Sequence, residues 1–135
     1  TRGDVIKVLP FGNYVVTKRV KGADIRAAFE YGLRMYPEQL GGFPQVGGAR
    51  FTFDPAKEEG GRIAEFTVGG QPLDDEKEYL LATNDYMAEG GDGYEMLMGY
   101  PVETAYGGLD EILLSYIETL ETIPAEPDGR IAVAG

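Results

Sequence analysis

The stretch "YVVTKRVKGADIRAAFEYGLRMYP", Tyr14 to Pro37, decides the fold. Its opening, Tyr14 to Val20, is rich in β-branched side chains and runs up to Gly22, which reads as a strand. Beyond it, Ile25, Ala28, Phe29, Gly32, Leu33 and Tyr36 fall at offsets 0, 3, 4, 7, 8 and 11. That spacing is the apolar stripe of an amphipathic helix, and Pro37 follows its end. Downstream, "GGFPQVGG" (Gly41 to Gly48) is a loop, and "ARFTFD" places Phe51 and Phe53 on one face of a half-buried strand. In "RIAEFTVGGQPL", Ala64, Phe66 and Val68 share a face, Gly69-Gly70 supplies the positive φ of a tight hairpin, and "EYLLATN" (Glu78 to Asn84) is the expected return strand. A second helix is predicted where Leu109, Ile112, Leu113, Tyr116, Ile117 and Leu120 repeat the helical spacing, with Asp110 and Glu111 complementing the dipole of its first turn. The end, "IPAEPDGRIAVAG", is Pro/Gly-punctuated, with "RIAVA" as a short edge strand. These elements predict an α+β fold, a mixed or antiparallel sheet with two main amphipathic helices packed on one face.

Composition narrows the function. A chain of 135 residues is expected to form one domain, 1–135. Its 12 basic and 23 acidic residues leave a formal charge of −11, a field that repels phosphate backbones and anionic lipid, so neither nucleic acid nor a membrane is an expected partner. Cysteine and histidine are absent, which excludes thiolate sites, disulfides, Ser-His triads and the usual catalytic zinc ligands from this chain. Catalysis would have to come from carboxylates or from another segment. No run approaches the ~18 apolar residues of a membrane helix. "TRGDVIKV" lacks the build of a signal peptide, and the beginning reads as a cut inside a longer protein.

Two loops concentrate chemistry. In "LPFGN" (Leu9 to Asn13), Phe11 stands between the turn formers Pro10 and Gly12, and Asn13 adds an amide. The ring is either folded back on the core or a stacking platform beside an amide that can pair with a base edge. In "NDYMAEGGDGYEM" (Asn84 to Met96), Tyr86 precedes Gly90-Gly91, where bare backbone can approach a ligand, and Asp92 offers acceptors suited to a ribose diol. A plain glycine turn is the alternative. Asp85, Glu89 and Asp92 do not match the spacing of an EF-hand, and the glycines lack the Lys-Ser/Thr of a P-loop. The Gly41–Gly48 loop reads as a structural bend, with Phe43 and Gln45 as the alternative candidates to wall the same pocket. Asp74, Asp75, Glu76, Glu58 and Glu59 read as a solvated rim.

Taken in order, "GDVIKVLPFGNYVVTKRVKGADIRAAFEYGL", "GGFPQVGGARFTFD", "LATNDYMAEGGDGY" and "LDEILLSYI" resemble the C-terminal domain of the 5′-nucleotidase, UDP-sugar hydrolase and 2′,3′-cyclic phosphodiesterase family over nearly the whole chain. The resemblance implies a substrate-binding domain. Its partners would be a small nucleotide or nucleoside and an N-terminal metallophosphoesterase domain that holds two divalent metal ions (Zn, Mn or Mg type) and performs the hydrolysis. It also implies a periplasmic, secreted or cell-surface parent. Carried over by position, Phe11 and Tyr86 would sandwich the base, Asn13 beside Gly12 would meet its edge, and Asp92 with Gly90 and Gly91 would take the ribose hydroxyls. The family's upstream "N-x-G-x-x-R" stretch has no counterpart in Thr1 to Pro10, which puts phosphate affinity in doubt. Two other readings are a non-catalytic interaction or spacer module, and the corresponding domain of a hydrolase acting on a sulfur compound or a sugar phosphate.

Overall fold

A computed structural model describes every residue except Glu121 and Ala125, so the part of the punctuated tail that contains Ala125 lies outside the described residues. The elements run α1 (Arg2–Val8), β1 (Tyr14–Lys21), α2 (Gly22–Gly32), β2 (Ala49–Phe53), β3 (Ile63–Val68), β4 (Gln71–Pro72), β5 (Glu78–Asn84), α3 (Asp85–Ala88), β6 (Val102–Gly108), α4 (Leu109–Glu118) and β7 (Ile131–Val133). Short 3-10 turns occupy Gly91–Gly93 and Glu95–Leu97. The α+β class is as expected. The strands, however, form two sheets, β5-β1-β6 and β4-β3-β2-β7, where the sequence pattern predicts a single one. The chain divides into two compact units, Thr1–Arg19 with Leu80–Glu126 and Val20–Tyr79 with Pro127–Gly135. The two expected helices pack on different sheets, α2 through Phe29 on the β2–β3 pair and α4 beside β6.

In the first unit, β6 pairs antiparallel with β1. Sequence periodicity misses β6 because none of its residues is buried, so it carries no inward–outward alternation. Periodicity also misses the helix α1. It starts with a capping box in which the Thr1 hydroxyl accepts from the Asp4 amide and the Asp4 carboxylate returns to the Thr1 backbone. It packs against α4. The apolar stripe of α4 is only partly covered, with Ile112 38% and Tyr116 61% exposed.

The second unit holds an aromatic core. Phe29 on α2 meets Phe51 of β2 and Phe66 of β3 edge-on, with ring centroids 5.1 and 5.0 Å apart. Such pairs add about 0.5–1.5 kcal/mol each beyond the area they bury. No side chain caps α2. Instead the Gly22 and Ala23 amides donate to the carbonyls of Lys77 and Asp75. The helix ends at Gly32 rather than reaching Tyr36. Arg62 caps the turn that follows, its Nη1 donating to the carbonyls of Leu33 (2.5 Å), Arg34 (3.3 Å) and Tyr36 (3.4 Å), which are then satisfied without a further helical turn. Tyr36 still reaches the core from that turn, its ring 4.8 Å from Phe53 at 82°.

β2 and β3 pair antiparallel, with Phe51 opposite Phe66, and β7 joins the other side of β2 in parallel as the expected edge strand. Two strand expectations change. The register steps from Thr52–Glu65 to Phe53–Ile63, so Ala64 is skipped, and this bulge leaves it exposed while Phe66 is buried. The Gly69-Gly70 hairpin is present, but its return strand is β4, whereas Glu78–Asn84 pairs in the other sheet beside β1.

Candidate functional site

Phe11 lies in the turn after α1 and is 85% exposed, so its ring contributes little to the core. Gly12 follows with φ 64, a conformation that suits glycine. Asn13 then ends the turn, and its fixing is specific. Its Nδ2 donates to Asp85 Oδ1 at 3.0 Å, and the same oxygen accepts from the Tyr14 amide at 3.1 Å. The Asn13 carbonyl in turn accepts from the Leu109 amide at 2.8 Å, satisfying the first donor of α4. One carboxylate thus ties the Phe11–Asn13 turn to the residue that immediately precedes Tyr86.

Asp85 titrates below its ordinary value of 3.8, chiefly because the Asn13 amide favours the carboxylate, with partial burial opposing and the Tyr14 amide assisting. A depressed carboxylate pKa means the tie contributes above the unfolded pKa and is lost as pH falls through the folded one, in acid below 3.8. A carbon-detected titration of Asp85 should therefore give a midpoint below 3.8 that rises towards it in Asn13→Ala. An unchanged midpoint in that variant would remove Asn13 as the cause.

The second loop is more ordered than a plain glycine turn. Asn84 caps α3 by accepting from the Met87 amide at 2.7 Å, so Tyr86 leaves from a helical turn rather than from a strand. The Tyr86 hydroxyl lies 3.2 Å from Asp92 Oδ1, to which it donates, and accepts from the Asp92 amide at 3.3 Å. Its ring rests on Gly91, where an added Cβ would meet ring carbons at 2.5 Å and the Tyr86 carbonyl at 2.6 Å. Asp92 holds φ 54, left-handed backbone that side chains other than glycine, asparagine and aspartate seldom adopt. Tyr86, Gly91 and Asp92 form one interlocked group, with the Tyr86 ring 51% exposed.

That lock gives Tyr86→Phe a definite expected effect. The ring face stays while the hydroxyl bonds to Asp92 are lost, so the exposed Asp92 loop should loosen by about 0.5–1.5 kcal/mol. Amide hydrogen exchange at Asp92 and Gly93 reads this directly. No acceleration there would mean the hydroxyl contacts contribute nothing.

The structure brings Phe11, Gly12, Asn13, Tyr86, Gly90, Gly91 and Asp92 into the same compact unit. Phe43 and Gln45 fall in the other, as does the acidic rim at Glu58, Glu59, Asp74, Asp75 and Glu76, all of it exposed. Sequence reading missed Asp85 as the partner of Asn13, because nothing local marks a contact across 72 positions. It also missed Lys18, which is 3% exposed within β1. Among the described residues no group of three Asp or Glu side chains converges to hold a metal ion, and the chain has neither His nor Cys.

Residues 1–99 match the model for "5'-nucleotidase, C-terminal domain". Over 94% of its length the chain is 35% identical to a 5'-nucleotidase of Diplobatis ommata, and over 97% it is 31% identical to a snake venom 5'-nucleotidase of Crotalus adamanteus. It spans 24% of the length of each. The crystal structure of a 5'-nucleotidase precursor from Thermus thermophilus superposes with a TM-score of 0.90 at 35% identity, covering 98% of this chain and 27% of that one.

Proposed function

Since the chain belongs to the 5′-nucleotidase C-terminal domain family, we propose that it is the substrate-binding part of a two-domain nucleotide phosphohydrolase. Phe11 and Tyr86 supply π faces for the base. Asn13 keeps one amide hydrogen and its carbonyl oxygen for the base edge after bonding Asp85. Asp92 offers its carboxylate to the ribose hydroxyls. The observation that best supports this reading is the Asn13–Asp85 hydrogen bond, which links the "PFGN" turn to the start of the Tyr86–Asp92 loop across the sequence.

Hydrolysis is assigned to a separate metallophosphoesterase domain with two divalent ions of the Zn, Mn or Mg type. The residues of this chain do not fit such a centre, lacking His and Cys and, among the described residues, any converging carboxylate cluster. The chain alone is accordingly expected to turn over no nucleotide. A venom relative and a precursor form among the similar proteins support export of the parent to the periplasm, the medium or the cell surface.

The test is a titration of the 15N-labelled chain with adenosine. Shifts confined to Phe11–Asn13 and Tyr86–Asp92 are expected. Shifts in neither loop at millimolar adenosine would sink the proposal.

A further inference from the structure

Lys18 takes a place that the strand pattern reserves for a core side chain. It lies between Val16 and Val20 on one face of β1, and all three are buried. An ammonium in such a place is tolerated only where protein acceptors replace water. Lys18 Nζ has two, the carbonyl of Ala88 at 2.6 Å and the carbonyl of Leu97 at 2.9 Å. Both close helical turns, since Ala88 ends α3 and Leu97 ends the 3-10 turn Glu95–Leu97, and terminal carbonyls have no partner within their own turn. Between them runs 89–96, which contains Gly90, Gly91 and Asp92. A single cation therefore bridges the two ends of the Asp92 loop.

The bridge is buried. The acceptor residues Ala88 and Leu97 are 0% and 2% exposed, and Tyr94, within the loop they bound, is 2% exposed. Burial pushes the Lys18 pKa down from its ordinary value, with the charge of Glu89 acting in the opposite sense. The exposed side of the loop carries the Tyr86–Asp92 bonds, so the loop is held from within by Lys18 and from without by Tyr86.

We propose that Lys18 is the positioning residue of this loop: its ammonium draws the Ala88 and Leu97 carbonyls together and so sets Gly90–Asp92 for the nucleoside. Its role towards a nucleoside rests on the function proposed above. The bridge itself needs no ligand, so it is tested first in the free chain.

Hydrogen exchange of the chain with Lys18→Met, which keeps the apolar stem and removes the cation, should accelerate the amides of 89–96 at least about tenfold while β1 and β6 keep their rates. The absence of cysteine allows a rescue. Lys18→Cys can be alkylated in denaturant either with bromoethylamine, which restores an ammonium of lysine's reach, or with a neutral propyl reagent, and then refolded. The ammonium form should regain slow exchange in 89–96 and the propyl form should not. Unchanged exchange in Lys18→Met, or acceleration spread evenly over the strands, overturns the proposal. Recovery of only the ammonium form as a folded protein also overturns it, in favour of a general folding role. Adenosine affinity should fall roughly tenfold in Lys18→Met. If the unaltered chain binds no adenosine while exchange responds as expected, the nucleoside reading fails and the bridge stands.

Discussion

Glu30→Ala is expected to destabilise the second unit by about 3 kcal/mol, a large effect for a charged side chain. Glu30 is 7% exposed on α2, and among the described residues its hydrogen-bond partners are not side-chain cations. Its carboxylate instead accepts from two consecutive backbone amides, Arg62 at 3.0 Å and Ile63 at 2.7 Å, where the chain enters β3. Alanine leaves both donors without an acceptor in a part-buried setting, and hydrogen bonds to a charged group contribute about 1.5–3 kcal/mol each. Glu30→Gln keeps one carbonyl oxygen and should lie between alanine and the parent. Urea denaturation followed by far-UV CD measures the series. A Glu30→Ala midpoint equal to that of the parent would show that water replaces the carboxylate.

The largest effect on binding should come from Phe11→Ala. The ring is 85% exposed, so its removal should alter stability by no more than about 0.5 kcal/mol. Stacking of a base on an aromatic ring is worth about 1–3 kcal/mol, which converts to roughly a 5- to 150-fold loss of adenosine affinity. The contrast between the two readouts gives the variant its value, because a ring that only packed would lose stability and keep affinity. Calorimetric titration of parent and variant with adenosine decides it. Equal dissociation constants would remove Phe11 from the site.

Periodicity made the α2 core legible. Phe29, Phe51, Phe53 and Phe66 sit on repeating positions, and repetition is what burial on one face imposes on a sequence. It failed where burial is absent or shared between distant segments. β6 exposes all its residues apart from the half-buried Gly108 and so leaves no alternation to read. The helix α2 stops at Gly32, and the carbonyls that follow it are met by the guanidinium of Arg62, nearly thirty positions downstream, a partner no local pattern marks. At the candidate site, residue types marked the Phe11–Asn13 and Tyr86–Asp92 loops one by one, and only the family resemblance joined Phe11, Asn13, Tyr86 and Asp92 as one expected set. Their supports were invisible, since Asp85 and Lys18 look like surface charges in a linear reading, and only folding reveals that each is bonded to another segment. The Thr1–Asp4 capping box was legible in principle, but a helix as short as α1 gives too few turns for a stripe to confirm it.

The second unit has a consequence for the order in which the protein can be completed during synthesis. β2 has β3 on one side as soon as the ribosome has released that hairpin, but its other neighbour, β7, comes from residues 131–133. Until then the nascent chain presents β2 with one row of backbone donors and acceptors open, along the strand that carries Phe51 and Phe53. Unpaired edges of this kind template association between chains. The strand of this sheet that is translated last thus covers the open side of β2 and leaves only its own three-residue edge, so the interval before its arrival exposes the longer row to pairing with a neighbour.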